Sequence, residues 1–142
     1  MNILITGKSG FVGKNLSAYL GHLKNATVDG LDLRQSRWQN AIKADTGVIV
    51  HLAGKAHDLK NASDPGVYYQ VNYELTRQVY DAFLASNAKK FIFISSVKAA
   101  ADSVDGELTE DLQPSPKTDY GKSKLQAEQY IQSLPVPAGK SW

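Results

Sequence analysis

Residues 2–13, N-I-L-I-T-G-K-S-G-F-V-G, decide the fold of this chain because they join an apolar strand to a glycine-rich turn. Residues 2–6 form a short run rich in isoleucine, which is typical of a buried parallel strand. Apolar side chains then recur at helical spacing over residues 11–23. A glycine turn between a strand and a helix lets the backbone approach a diphosphate, which the N–H groups at the helix start can bind. We therefore predict a dinucleotide-binding loop with contacts from Gly7, Gly10, Phe11, Val12 and Gly13.

The same loop contains Gly-Lys-Ser, which is also found at the end of the P-loop of nucleoside triphosphatases. That motif needs a glycine five residues before its final Gly-Lys pair. Asn2 occupies this place, inside the predicted strand, so the sequence excludes a P-loop.

Strands and helices alternate along the rest of the chain. Further strands are predicted over residues 26–31, 47–53 and 89–95, helices over residues 67–85 and 119–133, and one or two helical turns over residues 38–43. This alternation predicts an α/β fold with a doubly wound parallel sheet of the Rossmann type. The interval between Asp32 and Gly47 is too short for a helix, a strand and a second helix, so the third strand is expected to be short or missing. Residues 97–118 form a long polar connection, and loops of that length are usually functional.

Composition excludes several classes of protein. The 142 residues are 42% hydrophobic and 21% charged with a net charge of +2, which argues against disorder and against a nucleic-acid partner. The chain has no cysteine, and its histidines, at positions 22, 51 and 57, lack metal-ligand spacing, so no metal site is predicted. No apolar run approaches the ~20 residues that span a bilayer, and no signal peptide is recognised, so we expect a cytoplasmic protein.

One acidic residue bears on the choice of dinucleotide. Asp32 ends the second predicted strand, near the distance from the glycine loop at which a carboxylate binds the adenosine ribose. A carboxylate there repels a 2′-phosphate, so we expect NAD rather than NADP as the cofactor. Arg34 and Arg37 follow closely and leave a partial reversal of this preference open.

A candidate for proton transfer lies near the end of the chain. Tyr120 and Lys124 are four residues apart on a predicted helix, so their side chains share one face. An ammonium beside a phenol stabilises the phenolate and prepares it for proton transfer. Ser95 and Ser96 end a predicted strand at the carboxyl edge of the sheet, where ligands of open parallel sheets bind.

Five motifs in order resemble the extended short-chain dehydrogenase/reductases, and more narrowly the NAD-dependent sugar-nucleotide epimerases and dehydratases. They are the glycine loop, His-Leu-Ala-Gly54, Val-Asn-Tyr73, the run Phe-Ile-Phe-Ile-Ser-Ser96 and Tyr-x-x-x-Lys124. The resemblance implies that Ser96 binds the reacting sugar hydroxyl, that Tyr120 is the general base and acid, and that Lys124 holds the nicotinamide ribose. It also implies cofactor contacts from Leu52, Ala53, Gly54, Asn72, Tyr120 and Lys124.

Among family activities, the sequence is most similar to 4-epimerases that act on UDP-hexoses, UDP-N-acetylhexosamines or lipid-diphosphate-linked sugars in surface-polysaccharide synthesis. Sugar dehydratases carry an acidic pair where this chain has Val97 and Lys98, so dehydration is disfavoured; Lys55 is one place off from a lysine of known epimerases. A reductase or dehydrogenase of the family, and a non-catalytic NAD(P)-binding protein, are the alternatives.

The resemblance also bears on domain organisation and assembly. It implies a homodimer through the helices of residues 67–85 and 119–133. We expect residues 1–142 to be an NAD(P)-binding domain that lacks the C-terminal strands and the substrate domain of the family, and to be inactive alone.

Overall fold

The computed structural model of the chain describes residues 1–55, 64–104 and 106–142. The chain divides into two compact units. The sheet unit comprises Met1–Ala53, Gln78–Ile94 and Pro135–Trp142, and the helical unit comprises the described residues of Gly54–Arg77 and Ser95–Leu134. The histidine at position 57 lies outside the described residues.

Four parallel strands form the sheet of the described chain, in the order β2-β1-β3-β4. They are β1 (Asn2–Thr6), β2 (Thr27–Leu31), β3 (Thr46–His51) and β4 (Lys90–Phe93). The predicted α/β class and parallel sheet are therefore confirmed. β3 ends two residues earlier than predicted, because the N–H groups of Leu52 and Ala53 bond the Thr6 side chain instead of a neighbouring strand.

Apolar side chains of β1 form the core beneath the first helix. Leu16 and Leu20 of α1 (Phe11–Gly21) pack against Ile3 and Ile5, which are almost completely buried. Alternation along the strand sends Leu4 and Thr6 to the opposite face of the sheet.

The opposite face is covered by the end of α3 (Leu75–Ala85). The ring centroids of Tyr80 and Phe83 lie 5.1 Å and 5.4 Å from that of Phe91 on β4, and all three side chains are fully buried. Because β4 pairs with β3 and is the outer strand on that side, this aromatic cluster fixes the end of α3 over the β4 side of the sheet. Helices thus cover both faces, as the doubly wound arrangement requires.

β2 lies at the edge of the sheet, since residues 32–45, all described, contain a 3₁₀ turn (Trp38–Ala41) but no strand. This confirms the expectation for the third strand. Thr27 N donates to Met1 O, so the backbone groups of Thr27 face β1. Backbone groups of successive residues in a strand point in opposite directions, so the carbonyl of Val28 faces the open edge. Lys8 Nζ donates a hydrogen bond to this carbonyl over 2.8 Å. A lysine at an edge strand opposes pairing with other strands.

A cavity of about 390 Å³ opens near the amino-terminal ends of β1 and β2. Its lining includes Leu4, Asp29, Lys43 and Asp45, and none of the predicted site residues. Ligands of open parallel sheets bind at the carboxyl ends of the strands, so this cavity lies at the wrong end of the sheet for a dinucleotide.

The helix predicted over residues 67–85 is a composite. It begins with α2 (Pro65–Tyr68), continues as a π-helix (Tyr69–Glu74) and ends as α3. π-Helical turns insert one extra residue per turn and are frequent at functional sites.

In the helical unit, a 3₁₀ turn (Val97–Ala99) follows Ser96, and α4 spans Asp119–Ser133 as predicted. Thr118 caps α4 by accepting a hydrogen bond from Gly121 N. Among the described residues no helix has the length and apolar character needed to cross a bilayer.

Candidate functional site

The glycine loop has the close packing that its sequence predicts. Gly7 has a φ of +67°, in the left-handed region that favours glycine, and a Cβ there would lie 2.8 Å from Ala53 N. A Cβ at Gly13 would lie 2.3 Å from Gly7 O, so α1 also requires a residue without a side chain. The first and third glycines are therefore needed for close backbone approach.

The start of α1 is available to an anion. Gly10 occupies the N-cap position, and no side chain caps the first turn. Phe11, which is 85% exposed, and Val12, which is half exposed, begin the helix, so no other part of the described chain covers this end. The free N–H groups and the positive end of the helix dipole fit the diphosphate of a dinucleotide.

Thr6 joins the glycine loop to the segment after β3. Its Oγ1 accepts hydrogen bonds from Leu52 N and Ala53 N, each over 3.1 Å, and lies 2.7 Å from His51 Nδ1. The two accepted bonds use both lone pairs of the hydroxyl, so the hydroxyl donates its own hydrogen bond to Nδ1. The His51 imidazole is therefore the neutral tautomer that carries its proton on Nε2. Leu52 and Ala53 thus lie beside Gly7, where cofactor contacts were predicted.

Asp32 lies just beyond β2, at its carboxyl end, as predicted. Arg34 binds both of its carboxylate oxygens, and the hydrogen bonds from that side chain hold the pKa of Asp32 below its ordinary value. The carboxylate is therefore ionised and already paired.

Arg37 has a φ of 59°, left-handed for a non-glycine residue, and precedes the turn that buries Trp38.

In the helical unit, Ser96 is held as the N-cap of the 3₁₀ turn. Its Oγ accepts a hydrogen bond from Lys98 N over 3.2 Å. Gly121, the residue after Tyr120, packs closely against the 3₁₀ turn that follows Ser96. A Cβ at Gly121 would lie 2.3 Å from Lys98 O in that turn, so the contact requires glycine. The structure thus brings the segments of the predicted serine and tyrosine together, with Gly121 at the contact.

Tyr120 and Lys124 lie one turn apart on α4, as predicted. Tyr120 is half-buried, and its ring packs edge-on against Tyr68, with centroids 6.0 Å apart. Lys124 is buried, and loss of hydration lowers the pKa of its ammonium to about 8, although Glu128 acts in the opposite direction. At neutral pH the ammonium is therefore still charged, and its positive charge lies one turn from the phenol.

Asn72 lies in the π-helix and is 1% exposed. Its Oδ1 accepts from Lys55 N over 2.7 Å, and its Nδ2 donates to Lys55 O over 3.1 Å and to Ser123 Oγ over 3.2 Å. A Cβ at Gly54 would lie 3.1 Å from Asn72 Oδ1. One side-chain amide therefore fixes the backbone after Ala53 and contacts α4.

Sequence reasoning did not single out the roles of Thr6, Gly121 and Ser123. Each acts through a contact with residues distant in the sequence, which spacing alone does not reveal. Gly121 and Ser123 both lie between Tyr120 and Lys124. Two small residues at these positions were the signal in the sequence for close packing of this helix turn against other segments.

A family model described as the NAD dependent epimerase/dehydratase family matches residues 3–135 of the chain. A UDP-glucose 4-epimerase of Vibrio cholerae is 32% identical over 94% of this chain and 47% of the relative. The N-acetyl-alpha-D-glucosaminyl-diphospho-ditrans,octacis-undecaprenol 4-epimerase of Escherichia coli O157:H7 is 31% identical over 92% of this chain and 42% of its own length. The chain therefore spans less than half the length of these two relatives.

A solved structure resembles this fold closely. The UDP-glucuronic acid 4-epimerase of Bacillus cereus in complex with NAD superposes with a TM-score of 0.79 at 26% sequence identity. The likeness covers 92% of this chain and 50% of that one.

Proposed function

Because the chain belongs to the NAD-dependent epimerase/dehydratase family, we propose that it is the dinucleotide-binding part of a sugar-nucleotide 4-epimerase. The observation that carries the proposal is the arrangement on α4, where Tyr120 and the buried ammonium of Lys124 lie one turn apart. The turn that begins at Ser96 packs against the same helix turn, at Gly121.

NAD is the cofactor of this family, and the sheet unit fits it. The uncapped start of α1 and the side-chain-free positions of the glycine loop suit the diphosphate. When bound, the nicotinamide supplies a hydride acceptor. We propose that Gly7, Gly10, Phe11, Val12, Gly13, Asp32, Leu52 and Ala53 of the sheet unit contact the dinucleotide.

The helical unit provides the proton chemistry in this proposal. Ser96 accepts one hydrogen bond, and within residues 1–55, 64–104 and 106–142 its O–H has no acceptor, so it is available to a sugar hydroxyl. Tyr120 removes the proton of that hydroxyl as the sugar carbon loses hydride, which forms a keto sugar. The keto sugar then turns over in the pocket, so that hydride returns to its other face and Tyr120 returns the proton; atoms and electrons balance. Lys124 stabilises the phenolate and holds the nicotinamide ribose, while Asn72 positions α4.

We propose C4 as the reacting carbon and a UDP-hexose or UDP-N-acetylhexosamine as the substrate, in the synthesis of surface polysaccharide. Both curated relatives described above are named as 4-epimerases. Val97 and Lys98 follow Ser96, and the Lys98 ammonium donates to Asp102 O over 2.8 Å. These two positions offer no carboxyl group to protonate a departing hydroxyl, which favours epimerisation over dehydration.

A panel of UDP-sugars incubated with the native gene product and NAD⁺ tests this function, with chromatographic separation of the epimers. An epimerase produces the second sugar without net change in absorbance at the NADH wavelength. Net NADH formation or consumption would instead identify a reductase or dehydrogenase of the family. Absence of turnover with retained NAD⁺ binding would favour a non-catalytic binding protein.

We also propose a homodimer through the helices of residues 67–85 and 119–133. Within the helical unit, the π-helix and α4 are neighbours, since the Tyr73 and Tyr130 rings meet edge-on with centroids 6.4 Å apart. Sedimentation as a monomer at micromolar concentration would count against the dimer.

A further inference from the structure

The Asp32 carboxylate is engaged by a cation of its own loop. Arg34 Nε donates to Oδ1 over 2.8 Å, and Arg34 Nη2 donates to Oδ2 over 2.9 Å. The backbone N–H of Arg34 adds a third bond, to Oδ1, over 3.1 Å. Both oxygens therefore accept from one guanidinium, in the fork geometry that arginine makes with carboxylates and phosphates.

This pairing changes what the carboxylate presents to a cofactor. An unpaired aspartate at this position accepts hydrogen bonds from the adenosine ribose and repels a 2′-phosphate. With a guanidinium in contact, the net charge of the Asp32–Arg34 pair is zero, and most of that repulsion is cancelled. The side chains of Arg34 and Asp32 are 88% and 39% exposed, so a ligand can reach both.

Arg34 also retains donors for a phosphate. A guanidinium carries five N–H groups, and the pair with Asp32 uses one on Nε and one on Nη2. Because most of the side chain is exposed, the remaining N–H groups are accessible. A phosphate monoester is an acceptor that arginine binds through two parallel N–H bonds.

A second cation lies beside β2. Lys8, in the glycine loop, donates from Nζ to Val28 O, and a Cβ at Gly30 would lie 3.1 Å from its Cδ. The Lys8 ammonium therefore lies at Val28, four residues before Asp32, and only the stem of the side chain passes Gly30. Asp29, the other carboxylate of this strand, lines the cavity near the amino-terminal ends of β1 and β2. Lys8 and Asp29 offset each other along β2, so Arg34 is the residue that favours a ligand with an additional phosphate.

We propose that Arg34 is a cofactor-specificity residue, which neutralises Asp32 and supplies donors for a 2′-phosphate, so that the site accepts NADP(H) as well as NAD(H). The inference rests on the dinucleotide site of the proposed function, and extends it to a second ligand.

Calorimetric titration of the 142-residue chain with NAD⁺ and with NADP⁺ tests the proposal. The wild-type protein should bind both. Arg34→Ala should raise the ratio of the NADP⁺ Kd to the NAD⁺ Kd by about fivefold or more, because it removes hydrogen bonds to a charged group and leaves Asp32 unpaired. Lys43→Ala removes the same charge from the cavity lining and should leave the ratio unchanged.

A smaller change of the ratio in Arg34→Ala, or no NADP⁺ binding by a wild-type chain that binds NAD⁺, would overturn the role of Arg34 and leave the NAD site intact. Failure of the wild-type chain to bind either dinucleotide would overturn the proposed function together with this extension. Adenosine 2′,5′-bisphosphate and 5′-AMP, titrated in the same way, should show the same dependence on Arg34, because they differ only in the 2′-phosphate.

Discussion

Asn72 Nδ2 donates to Ser123 Oγ over 3.2 Å, and this bond joins two buried residues that are 51 positions apart in the sequence. Ser123 Oγ in turn donates to Tyr120 O over 2.8 Å. The amide of Asn72 also holds the backbone of Lys55 by two hydrogen bonds. The backbone position of Tyr120 therefore depends on a polar network that links α4 to the π-helix.

Removing this network should destabilise the fold measurably. Asn72→Ala leaves the buried groups of Lys55 and Ser123 unpaired, and we expect a loss of about 2–3 kcal/mol in the free energy of unfolding. Ser123→Ala should cost about 1 kcal/mol, and a double-mutant cycle in urea should give a coupling of about 1 kcal/mol. Asn15→Ala is the control: its exposed amide donates to Phe11 O of its own helix, and the substitution should change stability by less than about 0.5 kcal/mol.

The glycine loop provides a matched pair of alanine substitutions. Gly7→Ala places a Cβ 2.8 Å from Ala53 N at a positive φ, and we expect a loss of at least about 2 kcal/mol together with loss of NAD⁺ binding. At Gly21, the last residue of α1, a Cβ would meet no other segment of the described chain within 4 Å, so Gly21→Ala should stabilise the chain by up to about 1 kcal/mol. Equal stabilities of the two variants in urea denaturation would contradict the close approach of Gly7 to Ala53.

Lys124 makes stability depend on pH in the alkaline range. Burial lowers the pKa of its ammonium in the folded chain from 10.5 to about 8, so the unfolded chain binds more protons between these values. The cost of burying the charge is present in full below pH 8 and is relieved as the pH rises towards 10.5. Relative to Lys124→Met, the wild-type chain should gain about 3 kcal/mol across this range. Urea denaturation of both proteins at a series of pH values measures the difference, and a constant difference would show that the lysine is hydrated.

Two neighbouring serines should behave differently. Ser95 Oγ is buried and has no hydrogen-bond partner among the described residues, so Ser95→Ala should leave stability unchanged or raise it by about 1 kcal/mol. Ser96→Ala removes the proposed donor to the sugar hydroxyl and should lower kcat of the native gene product by about a hundredfold, while Ser95→Ala should not. Equal activity of the two variants would show that the reacting hydroxyl is bound elsewhere.

The parts of the fold that follow from local pattern could be predicted from the sequence. The apolar run of β1, the spacing of Gly7 and Gly13, and the bounds of α4 all depend on residues close together in the chain. The short interval after Asp32 likewise predicted that a third strand is short or missing, and the structure has a 3₁₀ turn there.

Features that depend on distant contacts could not be predicted in this way. The π-helix around Asn72 lies within the apolar ladder that predicted one continuous helix. The side chain of Asn72 bonds Lys55 and Ser123, which are distant in the sequence. The sequence did not predict whether Asp32 pairs with Arg34, because an arginine side chain two residues after the aspartate can take several orientations. The early end of β3 likewise depends on Thr6, more than forty residues before it.

The most direct test of the account is the rate of epimer formation by the native gene product and its Tyr120→Phe variant, with NAD⁺ and the UDP-sugars described above. The substitution keeps the aromatic ring and removes the hydroxyl that we propose as general base and acid. We predict epimer formation without net NADH in the wild-type protein, a loss of about 10²–10⁴-fold in the variant, and an unchanged Kd for NAD⁺. Epimerisation by Tyr120→Phe at the wild-type rate would contradict the assignment of Tyr120 and, with it, the proposed mechanism.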